Sequence, residues 1–473
     1  MKICPVILCG GIGSRLWPAS QNSLPKQFLK FNSKYSLLQN TIFRISDTEV
    51  FSTPLIICSE KSKFRTASAL EELNISPLSI IAEPEQKNTA PAITLAAMFL
   101  KKFHPELQQM LVLASDHLIE DEENFVDYIQ TLKQSNPDNL IVTFGIKPTH
   151  PATGYGYINQ GAEIQHNLFH VNNFIEKPLE STAKKLIQNN RNLWNSGIFF
   201  VSYNTLLSEI KLHKPSIYQH ISDALEKSKK DDYFLNIPTK SDFSKCENIS
   251  IDYAILEKTE NIAVFPLDIK WNDLGTWQSI YNITKKDPNN NAILGKKIYP
   301  YKTQDCLIYS DNPRVSTVTH RVTDLNISIT DNVILISNKQ YPEEIKEVYN
   351  ALKDVSDIKE PSLEYRPWGY YKNILTTTDY KVKLLSINPN SQISLQYHHR
   401  RAEHWVITKG VATITIGQTI HTLNRDQSIY VPQNEIHRIE NKTLEVLEII
   451  EVQVGEYLGE DDIVRLEDKY NRI

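Results

Sequence analysis

The apolar residues of this 473-residue chain change their period partway along it, and that change limits what the chain can fold into. Through the first half they come in short runs: Val6-Ile7-Leu8, Leu55-Ile56-Ile57, 110–113, Leu140-Ile141-Val142 and 198–201, with helical patterns such as 37–45 and 91–103 between them. Continuous apolar runs of strand length alternating with helices predict an α/β, Rossmann-like domain with a mostly parallel sheet. From Tyr365 the period becomes two. Ala412, Ile414 and Ile416 alternate with Thr413 and Thr415, and Val446, Ile450, Val452 and Val454 share one face of a later run. Such alternation between Gly, Asn and Pro turns predicts an all-β barrel or sandwich. Between the two lie polar, turn-forming stretches at 285–291 and 354–361, bracketing a small β-rich segment closed by a helix from Pro342 in which no chemistry is read. The expected division is 1–288, 289–360 and 361–473.

A chain this long exceeds one hydrophobic core, and its 41% hydrophobic and 23% charged residues are ordinary for a globular protein. The net charge of -5 with no basic block argues against nucleic-acid binding. Cys4, Cys9, Cys58, Cys246 and Cys306 are scattered with no CxxC pair, which suits buried thiols in a reducing compartment rather than disulfides or a zinc site. The opening apolar run leads into Gly10-Gly11 rather than a cleavage site, and no window has the length of a membrane span. A cytoplasmic protein that does not engage membranes is expected.

The first strand runs into Gly10-Gly11-Ile12-Gly13-Ser14-Arg15-Leu16-Trp17-Pro18, followed by Pro25-Lys26-Gln27-Phe28-Leu29. Glycines after a strand let backbone amides approach a phosphate, and Arg15 and Lys26 supply countercharge. No Gly-Lys-Ser/Thr follows and the spacing is not GxGxxG, so this is neither a Walker loop nor a dinucleotide fingerprint. A GGxG alone would be only a glycine-rich turn. The longer string resembles the signature of the sugar nucleotidyltransferases, in particular the mannose-1-phosphate guanylyltransferases, which read GGxGxRLWPxS and then PKQFL. Further matches follow in that family's order: Glu83-Pro84 with Asn88-Thr89-Ala90-Pro91, Ser115-Asp116-His117, Gly154 to Ile158, Phe174 to Pro178, Asn195 to Phe199, and Asn272 to Trp277.

The resemblance implies that GMP passes from GTP to mannose 1-phosphate, giving GDP-mannose and pyrophosphate. It assigns Arg15 and Lys26 to the phosphates, and Asp116 and Asp273 to a Mg²⁺. Gly10, Gly11, Gly13, Glu83 and Asn88 then bind the nucleotide, while Gly154, Glu176, Lys177 and Asn195 bind the sugar phosphate. Asp116 follows an apolar strand, which places its carboxylate where open α/β sheets bind ligands. The blander reading of Asp116 is a helix cap, and of Lys177 a surface ion pair. Gln21 stands where the family often has a second Arg, which predicts altered affinity rather than lost activity.

Near the end, Gln396-Tyr397-His398-His399-Arg400-Arg401-Ala402-Glu403-His404-Trp405 precedes Gly410 and then Pro432 to His437 and Asn441. Gln396 and His398 on one strand face, with Glu403 and His437 from neighbouring strands, give oxygen and nitrogen donors that converge inside a barrel and suit Zn²⁺ or another divalent metal. The spacing resembles the two cupin motifs, and SLQYHHRRAEHW resembles the type II phosphomannose isomerases. By that resemblance Gln396, His398, Glu403 and His437 are the ligands, and Arg401, Arg366 and Lys383 contact the substrate in interconverting mannose 6-phosphate and fructose 6-phosphate. His399 is a candidate base. Asn390 and Asn434 replace the motif's usual glycines, and 459–465 matches the family while also reading as a solvated acidic tail. The competing readings are a guanylyltransferase with a non-catalytic cupin for sugar binding or oligomerisation, and a regulatory sensor of GDP-mannose. The oligomeric state, homo-oligomer or monomer, stays open.

Overall fold

The computed structural model describes residues 2–470 apart from 32, 136, 138, 239–240, 356–357 and 359–362. It divides into two compact units, Met1–Leu352 and Lys353–Ile473. The expected boundary at 360/361 lies outside the described residues. No helix among the described residues is long and apolar enough to cross a membrane.

The first unit is organised by an eleven-stranded sheet. Strand Cys4–Cys9 pairs in parallel with Leu55–Ser59 on one side and Gln109–Ala114 on the other, and Ser79–Glu83 extends the parallel half. Strand Asn192–Ser202 then runs antiparallel to both Gln109–Ala114 and Ile141–Ile146, which pairs in parallel with Ile262–Leu267. The apolar runs are unbroken because both faces are covered. Val6, Leu55, Ile57 and Val112 face one core with helix Thr89–Phe103, while Ile7, Ile56, Leu111 and Leu113 face another with helix Leu37–Arg44. Because Cys4–Cys9, Ser79–Glu83 and Gln109–Ala114 are parallel, Gly10, Glu83 and Asp116 emerge at the same sheet edge.

The segment after 290 belongs to this unit. Strands Ala292–Gly295, Leu307–Ser310 and Leu325–Ile329 pair in parallel, with Ile334–Asn338 antiparallel at the edge, around a small core of Cys306, Ile308, Ile327 and Ile329. The closing helix is Ile345–Leu352; residues 342–344 form the turn into it. It packs beside the 3-10 turn Ser14–Leu16. All five cysteines are buried and free.

The second unit is two six-stranded sheets closed over a core that includes Trp405, Ile407, Ile414, Ile439 and Ile449. The expected alternation holds along Val411–Ile416, where Ala412 and Ile414 are buried. Along Leu447–Gly455 the shared face of Ile450, Val452 and Val454 is the less buried one. Leu447, Ile449, Glu451 and Gln453 point inward instead, since this strand lines a polar cavity. Asn390 and Asn434 take left-handed backbone, with φ +55° and +65°, the region where Asn is the least strained non-glycine residue.

Candidate functional sites

At the parallel strands' carboxyl ends lies a cleft of about 590 Å³. Gly10 and Gly11 face it with open space where a Cβ would stand, while at Gly13, with φ +77°, a Cβ would lie 2.5 Å from the Lys26 Cβ. The glycine thus lets Lys26 pack under the loop. Lys26 is 5% exposed, lies 2.8 Å from Asp116 Oδ2, and also donates to the Asp273 carbonyl oxygen. One ammonium group therefore ties together the two segments that carry Asp116 and Asp273. Burial alone would raise the Asp116 carboxyl, but Lys26 and His117 hold it below its ordinary range, so it is ionised. Asp273 Oδ1 accepts from Tyr155 at 2.9 Å, and Tyr155 packs edge-on against Trp194 and Trp271, giving the cleft an aromatic wall.

Arg15 stands beside this cluster, with Nη1 3.0 Å from both carboxylate oxygens of Glu343. Gln21 does not take the place of a second cation: its Nε2 donates to the Pro18 carbonyl within its own loop at 2.9 Å. Asn88, with φ +67°, caps helix Thr89–Phe103 by accepting from the Thr89 amide at 2.9 Å, and it lines the cleft with Glu83.

Glu83 is buried, its Oε1 has no hydrogen-bond partner among the described residues, and burial raises its carboxyl to about 8. Between its ordinary value and about 8 the folded chain holds a proton that the unfolded chain has released, so stability falls as pH rises through that window. Thermal melting at about pH 5 and about pH 8 should show wild type losing a few degrees more than Glu83→Gln over that interval. Equal losses would contradict this account of Glu83.

Across the cleft lie the other expected residues. Asn195 accepts from Thr143 Oγ1 at 2.7 Å and donates to Asp252 Oδ1 at 2.9 Å. Lys177, held at φ +44°, pairs with Glu176 at 2.6 Å. Gly154 leaves open space at its Cβ position. The sequence reading missed Asp252, which lines this side and whose carboxyl is raised to about 6 by burial and by Glu176. It sits in the otherwise apolar stretch Ile251 to Leu256, where a carboxylate within a largely buried helix was the available signal.

In the second unit His398, Glu403 and His437 form a buried cluster whose potential ligand atoms all lie within 4.8 Å of one another. His398 Nε2 is 3.1 Å from Glu403 Oε1 and 3.2 Å from His437 Nε2, and the His437 Nδ1 is taken by the Glu435 carbonyl at 2.8 Å. That last bond leaves Nε2 facing the cluster, the arrangement of a metal-binding imidazole. Burial lowers His437, while Glu403, despite the opposing effect of burial, is held well below its ordinary range by His398, His437 and Arg401. A neutral imidazole beside an ionised carboxylate is the protonation pattern a divalent cation needs, so the donors fit one. Gln396 adjoins them, its Nε2 3.4 Å from His398 Nε2 and its Oε1 accepting from Ser394.

Arg401 is buried, donating to Glu403 at 3.1 Å and to the Gly459 carbonyl at 2.8 Å. Lys383, Arg366, Tyr371, Glu451 and Glu460 line the same cavity, with Lys383 paired to Glu460 and Arg366 to Glu364. His399 is not part of it. The residue after inward-facing His398 points outward, and His399 is exposed and hydrogen-bonded to Asn434 at 3.0 Å. Glu460, within the stretch also readable as a solvated tail, is instead a wall of the cavity.

A glycine loop over basic side chains and two carboxylates at the mouth of such a sheet is the arrangement of a nucleotidyl transferase. The chain belongs to the nucleotidyl transferase family, whose model matches residues 4–290, and residues 353–468 match the model of the mannose-6-phosphate isomerase C-terminal domain. Its relatives include a mannose-1-phosphate guanylyltransferase of Salmonella muenchen, 40% identical over 98% of each chain. The alginate biosynthesis protein AlgA of Pseudomonas aeruginosa is 38% identical, covering 99% of this chain and 97% of its own. Among solved structures, a mannose-1-phosphate geranyltransferase of Thermus thermophilus aligns over 75% of this chain and all of its own, with 26% identity and a TM-score of 0.65.

Proposed function

We propose that the first unit transfers GMP from GTP to mannose 1-phosphate, and that the second interconverts mannose 6-phosphate and fructose 6-phosphate. The observation that carries the first half is Lys26 joining the Asp116 and Asp273 segments beneath the glycine loop. In this reading a sugar-phosphate oxygen attacks the α-phosphorus of GTP in line and pyrophosphate leaves, so catalysis is positioning and charge neutralisation with no covalent enzyme intermediate. Asp116 and Asp273 would hold Mg²⁺, a cation that prefers one or two carboxylates plus phosphate oxygens. When bound it supplies further countercharge. Lys26 and Arg15 bind the triphosphate, Glu83 and Asn88 lie on the nucleoside side, and Lys177 meets the sugar phosphate.

Asn195, Glu176 and Asp252 present carboxylate and amide groups to the sugar hydroxyls. Hydrogen bonds to a charged group contribute about 1.5–3 kcal/mol, so Asp252→Asn should raise KM for mannose 1-phosphate roughly tenfold or more with little change in KM for GTP. Steady-state kinetics with each substrate varied separates the two. An unchanged sugar-phosphate KM removes Asp252 from this role.

In the second unit His398, Glu403 and His437, with Gln396 after rotation of its amide, would hold Zn²⁺ or another divalent metal, which supplies Lewis acidity toward the substrate carbonyl. Arg401 is already engaged with the ligand Glu403, which supports a role beside developing enediolate charge rather than at the distant phosphate. Lys383 and Arg366 remain for the phosphate. Tyr371, Glu451 and Glu460 also line the cavity, and the base is sought among them rather than at His399. Supplying GTP against ATP, and mannose 1-phosphate against glucose 1-phosphate, to the purified chain with Mg²⁺ tests the transferase reading; product formed only from the ATP or glucose pairs would redirect it.

A further inference from the structure

The middle segment, whose closing helix packs beside the turn Ser14–Leu16, also sets a carboxylate against Arg15. Glu343 lies in the turn before helix Ile345–Leu352, and both of its oxygens stand 3.0 Å from Arg15 Nη1. The other terminal nitrogen of Arg15, Nη2, sits against Gly275 beside Asp273, since a Cβ at Gly275 would lie 3.0 Å from Nη2 and 2.6 Å from Asp273 Oδ2. The guanidinium therefore stands near Asp273 of the cleft wall, but its charge is matched by a carboxylate that comes from outside the sheet. Lys26 is matched in the same way by Asp116. The two pairs differ in kind. Asp116 lines the cleft and, in this reading, is an oxygen ligand there, whereas the Glu343 side chain is 65% exposed, is not among the residues lining the cleft, and its carboxylate is hydrogen-bonded to Arg15.

We propose that Glu343 is a positioning residue that occupies Arg15 in place of a nucleotide phosphate: it keeps the guanidinium paired until the triphosphate displaces it, and recaptures it as pyrophosphate departs. This rests on the reading of the cleft as a nucleoside triphosphate site. Two opposite effects follow from the contact. Holding Arg15 in place lowers the conformational cost of binding, while competition for the guanidinium, and repulsion between the displaced carboxylate and the triphosphate, raise it. Competition dominates, because Arg15 also packs on its Nη2 side against Gly275 and does not depend on Glu343 alone to stay near the cleft. An exposed ion pair is weak and screened by salt, which makes it a contact that a polyphosphate can break.

The test is GTP affinity of the full chain, measured by titration calorimetry with Mg²⁺ and without sugar phosphate, for wild type, Glu343→Gln, Glu344→Gln, Arg15→Met and the Arg15→Met, Glu343→Gln pair. Glu343→Gln should bind GTP about two- to five-fold more tightly, the range an exposed pair supports. Glu344→Gln, exposed on the same turn, should match wild type, and Glu343→Gln should have no effect in the Arg15→Met background. Unchanged or weaker binding by Glu343→Gln, or an equal gain in the Arg15→Met background, overturns the proposal and leaves Glu343 a contact that docks the middle segment. GTP binding without turnover overturns the transferase reading alone. No GTP binding by wild type overturns both.

Discussion

Replacing Lys26 with Met should lower kcat/KM for GTP-dependent pyrophosphate release by about 10²–10³-fold, the cost typical of removing one group aimed at developing charge in a dry site. Met preserves the stem that packs beneath Gly13, so the loop keeps its floor. What is lost is the ammonium group against Asp116 and the Asp273 carbonyl. Asp116 is then left as a largely buried carboxylate without its counter-ion, facing an incoming triphosphate, so KM should rise as kcat falls. Removing one partner of a buried pair also destabilises the fold, and Asp116→Asn added to Lys26→Met should recover melting temperature without recovering activity. Activity within about threefold of wild type in Lys26→Met would contradict the role given to this residue.

His398→Ala should abolish metal retention in the second unit and the isomerase activity with it, while pyrophosphate release by the first unit stays at the wild-type rate. The two centres share no residue, and each lies within one unit. His398 is the middle of the cluster, 3.1 Å from Glu403 and 3.2 Å from His437, so its loss removes one donor and the contact that helps keep Glu403 ionised. Metal analysis of the purified variant should fall from about one equivalent per chain to background, the behaviour of a site whose ligand set is incomplete. If the variant still holds a full equivalent, the cluster is not the metal site. If it loses the metal and wild type shows no isomerase activity, the cupin is a binding module.

The sequence made the sheet legible because strands buried on both faces leave unbroken apolar runs, as at Val6-Ile7-Leu8, and the cleft legible because strand ends carry Gly10, Glu83 and Asp116 in parallel. The histidine pattern was equally readable, since alternation sends His398 inward. The same alternation places His399 outside, which the reading of His399 as a base overlooked. Glu451 and Gln453 were hidden for a related reason: in Leu447–Gly455 Ile450, Val452 and Val454 cover the less buried face, so the apolar periodicity pointed to the wrong side of the strand. Asp252 and Glu343 were hidden because each gains meaning only from a partner far away in sequence, Asn195 in one case and Arg15 in the other. No local spacing announces such a pairing.

The most direct measurement is pyrophosphate release by the purified chain with Mg²⁺, GTP and mannose 1-phosphate, run beside fructose 6-phosphate formation from mannose 6-phosphate with and without added Zn²⁺. Release that requires both substrates and the metal, together with a metal-dependent isomerase activity, is the predicted result. No pyrophosphate release with any nucleoside triphosphate and sugar phosphate would contradict it.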